Sequence, residues 1–459
     1  MQTSPPLFRP LAVAAAAALI AACGGGGSDP APPTAPPGTT PPPLAAGPQV
    51  LVQVDARADV AALAAARGAT VVDRFGRRPI YRLQLPAGTD ADAVAADLRR
   101  VSGVVFAEAN ADSETPEGAR NSFWAIGRTA TDYAQQWAPQ ALRLAGAHAV
   151  TIGAGVRVAV LDTGIVAGHP VFTGRLLPGR DFVDGDADPA EEGSTADAGY
   201  GHGTHVAGLV ALAAPGARIV PLRVLDPAGR GNHWVLAEAL LHAVDPDGDP
   251  ATDDGAHVVN MSLGSTRPTR MLALATALAS CEFDDDDDDD LDHPGFDDDR
   301  ARCARGHGAA VLSAAGNDAS DQVEIFPAAE QAAGARAITA TRSDDFLADF
   351  ANAGGWIKLA APGEAIVSAV PGDCVGGCWG TWSGTSMAAP LAAGAAALAL
   401  TTPAPNPRQG VADPLRRWTA EDLMKRLEDR AKPVCGASVK QIDAAAAVTD
   451  TPPLDPACP

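Results

Sequence analysis

Basic residues are scarce in this sequence. Its 459 residues include 34 Lys and Arg against 56 Asp and Glu, and the formal net charge is −22 at pH 7. A protein that binds nucleic acid needs a basic face, so we expect no nucleic-acid partner. Nearly half of the negative excess is local, because residues 281–303 contain twelve acidic residues and two basic ones.

The sequence also lacks an apolar run long enough to cross a bilayer, which takes about 20 residues. The short apolar run at 11–22, with Arg9 before it, is instead typical of a signal peptide. It ends in Ile20-Ala21-Ala22-Cys23, which resembles the lipobox of bacterial lipoproteins, whose cysteine receives a diacylglycerol. An ordinary secretory signal cut nearby is the alternative.

These features predict the destination of the chain. Residues 1–22 are expected to be a lipoprotein signal peptide, Cys23 the lipidated residue, and residues 23–48 a Gly/Pro-rich tether that cannot bury apolar surface. Gly24 in place of Asp resembles lipoproteins sent to the outer membrane of Gram-negative bacteria. We therefore expect an exported protein with a lipid anchor in that membrane.

Paired C-x₂-C motifs are missing too, which argues against a zinc site. Besides Cys23 there are six cysteines, and an even number in an exported protein indicates disulfides. Proximity along the chain favours the pairs Cys281–Cys303, Cys374–Cys378 and Cys435–Cys458.

The pattern of apolar residues divides the rest of the chain. Residues 49–111 follow the order strand–helix–strand–strand–helix–strand, a small α+β pattern. Residues 120–448 alternate buried strands with helices, which predicts an α/β fold with a parallel sheet covered by helices on both faces. Residues 449–459 are expected to form a C-terminal tail.

A run of small residues at 383–390, SGTSMAAP, precedes an apolar stretch at 391–400 that is predicted to be a buried helix. Ser386 would lie at the N-terminus of that helix, where free N–H groups and the helix dipole favour developing negative charge. Pro390 would suit the first turn of the helix. The alternative is a serine that only caps the helix.

Two further segments supply partners for Ser386. Asp162 ends a predicted strand, and His202 stands between glycines at the start of a helix. His202 would take the Ser386 proton and later protonate the leaving amine, while Asp162 would orient the imidazole and stabilise its charged form. The alternatives are an aspartate that caps a turn and an unreactive loop histidine. His205 is expected to be a packed core residue.

Together these segments resemble the subtilisin-like serine proteases, the subtilases. The shared motifs are D-T-G from Asp162, H-G-T-H-V-A-G from His202 and G-T-S-M-A from Gly384, in the family's order. The resemblance implies a subtilisin-like sheet with helices on both faces. It also implies a serine endopeptidase of protein and peptide substrates that forms an acyl-enzyme and needs no cofactor for catalysis.

The resemblance also implies roles for other residues. Asn317, in the segment Ala314-Ala315-Gly316-Asn317, takes the position of the oxyanion-hole donor. Substrate would lie as an added strand with broad sequence preference. The segments expected to line it are Gly229-Arg230-Gly231, Ser262-Leu263-Gly264 and Ala314-Ala315-Gly316.

Residues 49–111 resemble the subtilase propeptide, an intramolecular chaperone and inhibitor. The protein's own propeptide is therefore an expected partner. If the propeptide is cleaved after the chain is anchored, the lipid stays with the propeptide, and the mature enzyme is released unless the two remain associated.

Acidic residues alternate in two loops, at 184–188 and 245–249. Oxygen ligands suit Ca²⁺, and subtilases often bind it, so we expect a structural calcium site at Asp245, Asp247 and Asp249. The insertion at 284–299, with seven consecutive aspartates, is expected to stay solvated as a solubilising loop. A calcium site there, or an attraction for basic substrates, is the alternative.

The sequence thus predicts an exported serine endopeptidase. One alternative is a catalytically silent surface-binding lipoprotein on the same fold, which the intact triad and Asn317 disfavour. Another is an acidic metal-buffering surface protein, which rests on the Asp-rich loops alone.

Overall fold

The computed structural model describes residues 47–55, 57–117, 125–283, 291, 293–330, 332–411, 413–455 and 458. The expected signal peptide, Cys23 and nearly all of the tether lie outside these ranges, as does the aspartate run at 284–290. Within the described ranges, no helix is both long enough and apolar enough to span a membrane.

The N-terminal unit is a small sheet with helices on one face, in the predicted α+β order. Alternate side chains of its strands point to opposite faces of the sheet and pack in two different hydrophobic cores. Val50 and Val52 pack under the helices, whereas Leu51 and Phe106 face the rest of the chain and join a cluster that includes Trp234. The elements are β1 (Gln49–Val54), α1 (Val60–Ala65), β2 (Thr70–Arg74), β3 (Ile80–Gln84), α2 (Ala91–Leu98) and β4 (Val104–Ala109), and the strand order is β2-β3-β1-β4.

The remaining elements belong to the larger α/β domain and to the segment 112–117, called the arm, which leads into it. They are β5 (Asp112–Glu114), β6 (Ala125–Arg128), α3 (Ala130–Gln135), α4 (Trp137–Ala141), α5 (Leu144–His148), β7 (Arg157–Asp162), β8 (Arg180–Asp181), α6 (His202–Ala213), β9 (Arg218–Arg223), β10 (Arg230–Asn232), α7 (His233–Val244), β11 (Val258–Met261), α8 (Arg270–Ser280), α9 (Asp297–Ala304), β12 (Ala310–Ala314), β13 (Ala335–Thr341), β14 (Leu359–Pro362), β15 (Ile366–Val370), β16 (Cys378–Trp382), α10 (Thr385–Leu400), α11 (Ala420–Asp429), β17 (Lys432–Pro433), β18 (Lys440–Gln441) and α12 (Ala444–Thr449).

A mostly parallel sheet forms the centre of the larger domain, which confirms the predicted fold class. Its strand order is β17-β18-β14-β13-β12-β11-β7-β9-β8. Because helices cover both faces, the central strands are apolar on both sides. Val158 and Val160 of β7 pack in the core that contains α6 and α10, and the alternating Ala159 and Leu161 pack in the core that contains α7 and α8.

Helix α10 begins at Thr385 rather than near residue 391, so the sequence-based placement of Pro390 in its first turn is wrong. Pro390 lies inside the helix and has no N–H to donate to Ser386 O, four residues earlier. The hydroxyl of Ser262 donates to that oxygen instead, at 2.9 Å. A side chain of a neighbouring segment therefore satisfies the carbonyl that the proline leaves free.

The cysteines after Cys23 are bonded in the pairs that proximity along the chain favours: Cys281–Cys303, Cys374–Cys378 and Cys435–Cys458. The first disulfide closes the acidic insertion. The seven aspartates expected to stay solvated lie outside the described residues. At the other end of the insertion, the side chain of Asp299 is buried and accepts two hydrogen bonds, at 2.8 and 2.7 Å, from Arg78 of the N-terminal unit.

Candidate active site

Asp162 and His202 meet at the carboxyl ends of the parallel strands. Asp162 ends β7 and His202 begins α6. His202 Nδ1 lies 2.7 Å from Asp162 Oδ1, and both side chains are buried. Gly201, just before the helix, has a φ of 88°, which favours glycine. This arrangement can hold the imidazole with its Nδ1 proton on the carboxylate.

Ser386 is the second residue of α10 and is fully buried. N–H groups in the first turn of a helix have no partner within the helix, so they are free to bind a negative oxygen. The Ser386 hydroxyl lies 2.7 Å from Glu117 Oε2 and 3.3 Å from Ser262 O. The serine thus faces a carboxylate that the sequence motifs do not include.

Glu117 occupies the centre of the site and was missed by the sequence analysis. Its Oε2 lies 2.7 Å from Ser386 Oγ and 3.2 Å from His202 Nε2, and its Oε1 accepts a hydrogen bond from Asn317 Nδ2 at 2.9 Å. The side chain is only 3% exposed. No motif surrounds this glutamate, and its position depends on how a distant segment docks.

Asn317 lies on the opposite side of the carboxylate. Its Oδ1 accepts from the backbone N–H and the hydroxyl of Thr385, at 2.9 and 3.0 Å. Because both donors face Oδ1, the amide has one orientation that satisfies them, and this orientation directs Nδ2 to the centre. Gly316, with a φ of 99°, makes the turn that presents Asn317.

Asn352 supports the loop that carries Asn317. It is fully buried, its Nδ2 donates to Ala315 O at 2.9 Å, and its Oδ1 accepts from the N–H of Asp318 at 3.0 Å. These two bonds fix the backbone immediately before and after the turn. Sequence reasoning missed Asn352, because it lies 35 residues further along the chain than Asn317 and belongs to no recognisable motif.

The segments expected to line the substrate hold the arm at 112–117. Strand β5 pairs antiparallel with β10, and Gly264 exchanges hydrogen bonds with Glu114 at 2.9 and 3.0 Å. Thr115 N donates to Gly229 O at 3.0 Å. The chain's own arm therefore lies as an added strand between the two predicted edges.

The other predicted residues of these edges have different surroundings. Arg230 and Gly231 are in β10, opposite β5. Leu263 is buried in the core. Ala314 ends β12, and Ala315 and Gly316 follow it into the turn before Asn317. A cavity of about 470 Å³ opens beside the arm, lined in part by Pro116, Gly264 and Gly316.

Charges at the centre favour a protonated histidine. Burial opposes the charged form of His202, but the carboxylates of Asp162 and Glu117 outweigh burial and raise the pKa of His202 to about 10. An imidazolium therefore lies between two carboxylates at neutral pH. His205 packs in the core as predicted, and burial lowers its pKa to about 3.

Glu191 is a half-buried acid that connects the segments carrying Asp162 and His202. It accepts from the hydroxyl of Thr163 at 2.7 Å, and from the N–H and the hydroxyl of Thr204 at 3.2 and 2.8 Å. Burial raises the pKa of Glu191 to about 7. Nothing in the sequence marks this glutamate, because its loop contains several acids and burial alone distinguishes it.

The expected calcium ligands converge only in part. Oxygens of Asp245, Asp247 and Asp254 lie within 4.8 Å of one another. Asp249 lies outside this group, and its Oδ1 accepts from Ala251 N at 2.9 Å. Burial and neighbouring acids raise the pKa of Asp245 to about 6. The ionised form of this carboxylate is therefore disfavoured, and a bound cation would stabilise it. The three carboxylates suit Ca²⁺, which takes about 6–8 oxygens in all.

The other acidic loop, at 184–188, meets a buried cation of the protein itself. Arg223 forms ion pairs with Asp181, Asp184 and Glu192. The single guanidinium offsets one of the three negative charges, and oxygens of the three carboxylates lie within 4.8 Å of one another.

Comparisons with known proteins agree with this geometry. Residues 153–444 match the family described as the subtilase family, and residues 47–110 match the fervidolysin N-terminal prodomain. The first match covers more than half of the chain.

Individual relatives are serine proteinases by name. The chain is 34% identical over 274 residues to the thermophilic serine proteinase of Bacillus sp. (strain AK1), a match that covers 57% of this chain and 57% of that protein. It is 31% identical over 274 residues to thermitase of Thermoactinomyces vulgaris, covering 58% of this chain and 81% of thermitase. The extracellular serine proteinase of Thermus sp. (strain Rt41A) is 35% identical over 278 residues, a match that covers 60% of this chain and 57% of that protein. The chain thus spans less than two thirds of the first and third of these relatives.

Solved structures share the fold. Fervidolysin from Fervidobacterium pennivorans, described as a keratinolytic enzyme related to subtilisin, superposes with a TM-score of 0.64 at 21% identity, covering 87% of this chain and 60% of fervidolysin. A protease from Pseudoalteromonas arctica gives a TM-score of 0.54 at 27% identity, covering 70% of this chain and 98% of that protease.

Proposed function

Because the chain belongs to the subtilase family, we propose that it is a serine endopeptidase whose catalytic groups are Asp162, His202 and Ser386. One observation carries the proposal. Ser386 Oγ, His202 Nε2 and Asn317 Nδ2 all lie within 3.2 Å of a single carboxylate, that of Glu117. A peptide carbonyl in the same place would meet a nucleophile, a base and an oxyanion donor together.

The proposed reaction follows from these contacts. Ser386 Oγ bonds to the carbonyl carbon as His202 Nε2 takes its proton, and the carbonyl electron pair moves onto oxygen. Asn317 Nδ2 and the Ser386 N–H hold that oxygen, and a side-chain donor of this kind contributes about 10²–10³ in turnover. The imidazolium, stabilised by Asp162, protonates the leaving nitrogen, and water then attacks the acyl-enzyme by the same path.

Substrates are proposed to be extended segments of proteins and peptides. The arm at 112–117 supports this, since it is bound by backbone hydrogen bonds to Gly229 and Gly264. Backbone pairing is the same for any sequence, so broad specificity is expected.

The N-terminal unit is proposed to act as an intramolecular inhibitor. We assign the inhibitor to residues 49–111 and the catalytic domain to residues 120–448. The inhibitor's match to a prodomain supports the assignment, as do the contacts of the arm with the site. We further propose export with lipidation at Cys23, and release of the mature enzyme where the prodomain dissociates.

Structural calcium is proposed at Asp245, Asp247 and Asp254. The convergence of these carboxylates supports the site, and backbone or water oxygens would complete the shell. The ion would stabilise the loop after α7 and take no part in the chemistry.

Replacing the nucleophile tests the enzymatic proposal. Ser386→Ala should abolish casein hydrolysis, fluorophosphonate labelling and prodomain removal. Ser383→Ala is the matched control, because Ser383 is in the same segment and its Oγ accepts from Ala365 N, away from the centre. Casein hydrolysis retained by Ser386→Ala would refute the assignment. Absence of labelling in the processed wild-type protein would favour the alternative of a silent binding protein.

A further inference from the structure

A side-chain carboxylate, and not a peptide carbonyl, occupies the catalytic centre. The arm binds as a substrate strand would, through Glu114 and Thr115, but the next contacts are made by the side chain of Glu117. One oxygen lies between Ser386 and His202, and the other takes the Asn317 donor. The arm thus places a group in the site that the serine cannot cleave.

The surroundings are shaped to accept this carboxylate. A Cβ at Gly384 would collide with Glu117 Oε1, so a side chain at that position would close the site. The donor side of Asn317 is fixed toward the carboxylate by Thr385. His202 contributes positive charge at neutral pH. The charge, the donors and the space therefore all match a carboxylate.

A carboxylate in this position blocks catalysis in two ways. Its negative charge and resonance make its carbon a poor electrophile, so attack by Ser386 is disfavoured. It also holds the proton of His202 in an ion pair, and a protonated imidazole cannot act as the general base.

Resting on the proposed function, we propose that the catalytic centre is a carboxylate-binding site whose ligand in the precursor is Glu117, and that this carboxylate keeps the precursor inactive until it leaves. The first step of activation is then the withdrawal of Glu117, which frees His202 Nε2 and the Asn317 donor for a peptide carbonyl.

The strand pairing of the arm could block the site without any help from Glu117, and substitutions distinguish the two explanations. Glu117→Gln keeps the shape and removes the charge, and Glu117→Ala removes the group. Glu324→Gln is the matched control, because Glu324 is an exposed acid outside the arm.

The test uses the full-length precursor. The intact precursor band is labelled with a fluorophosphonate at short times, and its conversion to the mature form is followed on gels. Both rates should rise at least about tenfold in Glu117→Gln and Glu117→Ala, which corresponds to about 1.4 kcal/mol of lost ground-state binding. Glu324→Gln should stay within about twofold of wild type, a change of less than about 0.5 kcal/mol.

Chemical rescue tests the binding site itself. Glu117→Ala lacks the atoms of an acetate ion, so added acetate should slow labelling of this precursor toward the wild-type rate, and acetamide should not. Glu117 variants that label and convert at the wild-type rate, or acetate with no more effect than acetamide, would overturn the proposal.

The two proposals fail differently. If the carboxylate proposal fails alone, the processed enzyme still labels and hydrolyses casein. If the endopeptidase proposal fails, neither the precursor nor any processed form does so.

Discussion

Asn352→Ala should damage catalysis although Asn352 touches no reacting group. The substitution removes the donor to Ala315 O and the acceptor for Asp318 N, which hold the turn on both sides of Asn317. The loss of these two hydrogen bonds, at about 1 kcal/mol each, gives a destabilisation of about 2 kcal/mol. Removal of an oxyanion donor outright costs about 10²–10³ in turnover, so a displaced donor should lower kcat by about tenfold to a hundredfold, with little change in KM.

A double-mutant cycle on the processed enzyme separates this effect from general destabilisation. If Asn352 acts through Asn317, adding Asn352→Ala to Asn317→Ala should lower kcat by less than about twofold, because the donor is already absent. Active-site titration corrects each rate for the folded fraction. Asn406→Ala is the control, since Asn406 is an exposed asparagine whose Nδ2 donates to Asp422. Multiplicative losses in the double variant, or an unchanged kcat in Asn352→Ala, would refute the reasoning.

Other parts of the structure lead to three further predictions. Asp299→Asn should speed prodomain dissociation, measured by surface plasmon resonance or gel filtration, because it breaks the bidentate pair with Arg78; an unchanged rate would show that the pair is not needed for docking. The pKa of His202 is raised to about 10, so its ion pairs stabilise the precursor fully below about pH 6.5 and are lost as the pH rises through 10. The precursor Tm should therefore fall more steeply between pH 7 and 10 in wild type than in Glu117→Gln, and equal slopes would contradict this. Between pH 7 and 10, His205 is already neutral, and Glu191, with its pKa raised to about 7, is largely ionised. Of these groups near the His202–Glu117 ion pair, His202 therefore contributes most to the change in Tm. Asp247→Asn should abolish any rise in Tm on adding Ca²⁺, and a retained rise would place the ion elsewhere.

The fold and the proposed catalytic groups could be predicted from the sequence because each is encoded in a short contiguous segment. The alternation of apolar strands and helices predicts the layered parallel sheet, and a single strand such as β7 carries its face pattern in consecutive residues. Asp162, His202 and Ser386 stand at element boundaries, where open sheets place functional groups. The expectation for Pro390 went wrong because it depends on a neighbouring segment. Pro390 is tolerated inside α10 because Ser262 bonds the freed carbonyl.

What the sequence could not predict is which group occupies the site, and the reason is physical. The occupant is set by a docked strand whose register depends on contacts spread over the chain: Leu51 and Phe106 against the Trp234 cluster, and β5 against β10. A shift of the arm by one residue would move the side chain of Glu117 away from the centre and leave the Asn317 donor without its partner. Each of those contacts is ordinary burial or backbone pairing, which many residue types would provide, so none leaves a motif. Short local segments thus encode the proposed catalytic groups, whereas the inactive state of the precursor depends on the whole interface between the N-terminal unit, the arm and the larger domain. Substitutions in that interface far from Ser386 should therefore also activate the precursor.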